Sequence, residues 1–117
     1  MAKFKFRITE DTCLEDVERA LKELATLPSN EILLNDLSKI FDFLGVEQPS
    51  GRKGGTGSII RFRHALLEND PRYHEGKFSV HVIHGGKDQK KIRKVNYIRY
   101  TMPTLKEIIR RKKEEGE

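Results

Sequence analysis

Four histidines, two arginines on an alternating run and a basic glycine-rich stretch are the side chains here with chemistry to offer. The histidines are His64, His74, His81 and His84. Imidazole exchanges protons near neutral pH, so each can serve as a general acid or base, with an ordinary surface or part-buried ring as the plain alternative. His81 and His84 are three residues apart. On a strand an odd separation turns two side chains to opposite faces, which argues against a shared metal ion. Zinc would need further ligands that the sequence does not name, so no metal and no cofactor is expected. Ser50 to Gly57 holds four glycines together with Arg52 and Lys53. Backbone N–H groups of such a loop can cradle phosphate. It lacks the Gly-Lys-Ser/Thr that closes a P-loop, and a flexible connection is the simpler reading. Cys13 is the only cysteine, which excludes an internal disulfide and a cysteine-built metal site.

The elements that must position these groups follow from periodicity. Ser58 to Leu66 and Phe78 to Ile83 alternate with a period of two and predict two strands. Ile60, Phe62, Phe78, Val80 and Val82 fall on one side, and Arg61, Arg63, Ser79 and His81 on the other. Helices covering the first side leave the second open. That basic, histidine-bearing face is the candidate site. A helix is predicted up to about Leu27, capped by Glu10, Asp11 or Thr12, on the spacing of Leu14, Val17, Leu21 and Leu24. A second is predicted over Glu31 to Leu44, with Asn30 as its cap and Gly45 just past its end. Leu67 to Gly76 is polar and predicted to project. The run GGKDQKKIRK after His84 reads as a basic loop, and Lys3 to Ile8 as a short strand or an extended arm. Val95 to Tyr100 has two readings. One is the start of a helix kinked at Pro103. The other, preferred, is a third strand before a helix that opens with Pro103. That last helix carries Arg110, Arg111, Lys112 and Lys113 near its end.

The chain has 117 residues, enough for one domain with a modest core. Lys plus Arg outnumber Asp plus Glu by 23 to 18, a net charge of +5 that suits a polyanionic partner without requiring one. No long apolar run predicts a membrane span or a secretory leader, so a cytoplasmic location and no membrane partner are expected.

The order of these pieces resembles the HicA toxins. A helix is followed by Gly57-Ser58 and a strand ending near Phe62. A second strand ends in His84-Gly85-Gly86-Lys87, and a closing helix contains Thr104-Leu105-Lys106-Glu107-Ile108-Ile109. The resemblance covers roughly Asn35 to Ile109. It implies a double-stranded-RNA-binding-like α+β fold with helices packed on one face of a three-stranded antiparallel sheet. Residues 1–29 would then be an N-terminal helical extension and 30–117 the core of a single domain. It further implies an mRNA endoribonuclease that binds RNA and is neutralised by a HicB-like antitoxin. Where the family places its catalytic histidine, directly after Gly-Ser, this chain has Ile59. An aliphatic side chain moves no proton, so the catalytic role would pass to His81 or His84. Arg61, Arg63 and Lys87 would be the phosphate contacts, with Arg52 and Lys53 from the glycine loop. The alternatives are a non-catalytic RNA- or DNA-binding module and a protein-interaction domain without nucleic acid.

Overall fold

The computed structural model describes residues 6–48, 59–84 and 90–115. Helix α1 (Leu14–Thr26) takes Cys13 as its N-cap, one to three residues later than the caps expected. Asp16 decides the start, because its carboxylate reaches back to accept the Cys13 N–H at 3.0 Å. The helix buries Val17, Ala20, Leu21 and Leu24 in the same core as the rest of the chain. The helix expected over Glu31 to Leu44 is split. Glu31–Leu33 forms strand β1, and α2 occupies Leu34–Leu44. Gly45 closes α2 with φ +82°, the left-handed conformation that glycine adopts without strain.

Strands β2 (Ile59–Arg63) and β3 (Lys77–His81) pair antiparallel, with Phe62 opposite Phe78 and Ile60 opposite Val80. All four are buried. Phe41 of α2 sits 4.6 Å from Phe62 and 6.3 Å from Phe78, ring centre to ring centre. The face that alternation assigned to the core is therefore the one covered. Past Val82 the chain forms β4 (Ile83–His84), which pairs with β5 (Lys90–Arg93), itself paired with β1. The fold is α+β with two small antiparallel ladders, β2–β3 and β1–β5–β4, in place of the single three-stranded sheet expected. The difference has a local cause. Ile92 is buried opposite Ile32, so a stretch whose charges read as a loop supplies a strand.

Val95 to Tyr100, expected as that third strand, is helical. α3 (Lys94–Asn96), a π turn (Tyr97–Thr101) and α4 (Met102–Glu114) follow one another without a break. Pro103 lacks the N–H for an ordinary helical bond, and its ring crowds the carbonyl four residues back. Just ahead of it the backbone loosens into π geometry, with the Met102 N–H donating to the Tyr97 carbonyl. Tyr97 is fully buried, and its hydroxyl donates to the Leu21 carbonyl at 2.7 Å, tying this run to α1.

The linker after β2 packs instead of projecting. A 3₁₀ turn at Ala65–Leu67 buries Leu67, and Asp70 is buried too. Arg111 of α4 donates to the Leu66 carbonyl at 2.8 Å and pairs with Asp70. At the other end of the chain Phe6 to Ile8 carry no strand, and the rest of the Lys3 to Ile8 run lies outside the described residues.

Candidate nucleic-acid interface

The β2–β3 register fixes the outward face pair by pair: Ile59 opposite His81, Arg61 opposite Ser79, Arg63 opposite Lys77. Cross-strand partners share a face, with diagonal neighbours about 7–8 Å apart. Arg61 and His81 are such a diagonal pair, and both are exposed. Arg61 makes no ion pair or hydrogen bond among the described residues. Arg63 does: it pairs with Glu47 at 3.1 Å and with Glu68. Lys77 lies 3.4 Å from Glu75. The face thus offers one arginine ready for an anion, a second already shared between carboxylates, and an imidazole beside the first.

His84 ends β4, where its backbone pairs with Lys90; nothing further is described of it. Arg52, Lys53 and Lys87 lie outside the described residues. Of the seven site residues expected, the structure brings together Arg61, Arg63 and His81 on one open face.

His64 has a different role. It is 6% exposed. Its Nε2 stands 2.7 Å from the Leu44 carbonyl, and its Nδ1 accepts the Leu66 N–H at 3.0 Å. This pattern fixes the neutral ring with the proton on Nε2. Burial lowers its pKa below the ordinary histidine value, although the Leu44 carbonyl pulls the other way. His64 is a structural clasp between β2 and the end of α2. His74 is exposed on the loop before β3, where its backbone pairs with Lys77.

A groove opens between the hairpin and the helical run, lined by Ser79 and His81 on one side and Asn96 and Tyr100 on the other. Sequence reasoning missed Asn96 and Tyr100 because nothing marked either one within a run read as a strand. A separation of four puts both on one side of a strand or of a helix alike, so their spacing alone did not reveal the helical groove. Ile59 completes the setting. It is 37% exposed and stands directly across from His81.

Among the described residues no group of three His, Cys, Asp or Glu side chains is placed to hold a metal ion. Among the same residues no helix is long and apolar enough to cross a membrane. Comparison with known protein families, with curated proteins and with solved structures finds no match to this chain.

Proposed function

We propose that this chain binds RNA through the outward face of the β2–β3 hairpin. On this reading it is a HicA-like toxin whose proton chemistry has moved one strand across. The observation that carries the proposal is the pairing of Ile59 with His81. Directly opposed residues hold their Cβ atoms about 4.5–5.5 Å apart. An imidazole on His81 therefore reaches nearly the same space as one on residue 59 would. The element order supports the same reading: α2, β2, the interrupted run β3–β4, β5 and a closing helix.

In the reaction that follows from this arrangement, His81 takes the proton from a ribose 2′-hydroxyl. The 2′-oxygen attacks phosphorus, the 5′-oxygen leaves, and a proton returns to it from the imidazolium. The products are a cyclic phosphate and a free 5′-hydroxyl. Arg61 holds the phosphate and offsets the charge that builds on its oxygens. A HicB-like antitoxin would neutralise the protein by covering this face.

Incubation of labelled RNA with wild type and with His81→Ala tests the chemistry. The expected result is cleavage by wild type and a loss of about 10²–10⁴-fold in the variant. Equal cleavage by both would overturn the assignment. Binding is tested by titration at two salt concentrations. Affinity should fall steeply with salt, and Arg61→Ala should reduce the slope by about one contact. If wild type binds RNA but never cuts it, the exposed Ile59 favours a non-catalytic binding module. Ile59→His should then restore cleavage.

A further inference from the structure

We propose that the groove between Ser79, His81, Asn96 and Tyr100 is a pocket for one unstacked base of single-stranded RNA, with Tyr100 as its stacking surface. The inference rests on the RNA-binding reading above and names the form of RNA that the face accepts.

Tyr100 is 57% exposed, and its hydroxyl has no partner among the described residues. A tyrosine left open beside a polar groove is a platform without an occupant, and a base is the aromatic ligand that suits it. Base–aromatic stacking recognises any base through its π-face. The other lining residues suit the base edge. The Asn96 amide carries both donors and an acceptor, and the Ser79 hydroxyl can do either. Among the described residues no carboxylate lines the groove, which suits a phosphate held by Arg61 on the same face. The groove measures about 350 Å³, room for one base with part of its sugar.

The platform is also held in place. Tyr97 and Thr101 of the π turn are buried, and Tyr97 is hydrogen-bonded to the Leu21 carbonyl. The Tyr100 carbonyl accepts the Thr104 hydroxyl at 3.1 Å. Tyr100 therefore projects from a fixed turn instead of a loose end. Paired bases in a duplex hide their faces from such a platform, whereas looped-out and single-stranded bases expose them. A base seated on Tyr100 would bring its own ribose toward His81, so the seated nucleotide is the one whose 2′-hydroxyl reacts.

A single-stranded RNA carrying one fluorescent adenine analogue tests this. It would be titrated against wild type, Tyr100→Ala, Tyr100→Phe and Arg61→Ala. Wild type should quench the analogue and prefer the single strand to the matching duplex. Tyr100→Phe should keep both properties. Tyr100→Ala should lose the quench and bind roughly tenfold or more weakly, with the salt slope unchanged, because stacking neutralises no phosphate. Circular dichroism checks that the variants are folded. If Tyr100→Ala binds and quenches like wild type while Arg61→Ala is weakened, the pocket is wrong and the RNA-binding face stands. A preference for duplex also overturns the pocket alone. No binding by wild type at low salt overturns both.

Discussion

At the scale of single residues, His64 and His81 show how parity on a strand separates a buried, structural imidazole from an exposed one. His64 continues the Ile60, Phe62 series onto the buried side, while His81 pairs with Ile59 on the open side. Both placements follow from alternation, yet the sequence reading named only the second, because a charged or polar side chain is not expected to follow a core pattern. The structure satisfies His64 completely, with Nε2 on the Leu44 carbonyl and Nδ1 on the Leu66 N–H. His64→Ala strips both partners and should destabilise the fold by about 1–3 kcal/mol, measured by urea unfolding. The pH dependence has a definite sign. The folded ring resists a proton because it is buried, so its pKa lies below the ordinary value of 6.5. As pH drops below that value the unfolded chain takes up a proton that the folded chain does not. Stability should therefore decline as pH falls through that window and level off below the folded pKa. His64→Asn, which cannot titrate, should lack this component. An unchanged profile in the variant would remove His64 as its source.

At the scale of elements, the hairpin was legible and its surroundings were not. Ten residues of β2 and β3 alternate cleanly, and burial on one side enforces the register. β1 and β5 are short, and each shows a single buried residue, Ile32 or Ile92. One apolar position carries no period. The misreading at Val95 to Tyr100 came from taking Pro103 as the first residue of a new helix, which left the residues before it to a strand. Burial at Tyr97, Thr101, Leu105 and Ile108 is helical instead, and Val95 and Ile98 lie exposed. Tertiary packing of one stripe outweighed local preference. The turn into β3 gives a prediction at this scale. Gly76 has φ +81°, and a Cβ there would lie 2.6 Å from the His64 carbonyl oxygen. Gly45 has φ +82°, but a Cβ there would meet only the His64 Nε2, at 3.8 Å. Both alanine variants incur the left-handed penalty of about 1–2 kcal/mol. Gly76→Ala must also displace backbone, so its midpoint in chemical unfolding should fall further than that of Gly45→Ala. Equal losses would mean that the turn yields freely.

At the scale of the whole molecule, ion pairs join what the core alone would leave loosely tied. The linker after β2 is fastened to α4 by a lattice in which Asp70 binds Arg72 at 2.8 Å and also pairs with Arg111. Glu107 binds Arg111 at 2.7 Å and pairs with Arg110. Lys113 reaches Glu18 at 2.9 Å and so joins α4 to α1. The i,i+3 and i,i+4 pairs of Glu107 are legible on a predicted helix, but the pairs that reach from α4 to Asp70 and to Glu18 are not visible in sequence. They explain why the linker packs: Asp70 is buried, and its partners come from within the linker and from the far end of the chain. Hydrogen bonds from the Arg72 side chain, then from its N–H, bring the Asp70 pKa from 3.8 to about 2. Arg110 first, then Arg111, bring Glu107 from 4.5 to about 2. Lowered carboxylate pKa values contribute stability in full above the unfolded values and lose it as pH falls through the folded ones. The lattice should therefore hold at neutral pH and dissolve between about pH 4.5 and pH 2. Asp70→Asn should be less stable than wild type at pH 7, with the gap closing as both approach pH 2. Thermal unfolding across that range measures it. A gap that stays constant with pH would assign the loss to packing. A closing gap would show that the charge on Asp70, shared first with Arg72 of the linker and then with Arg111 of α4, holds this corner of the fold together.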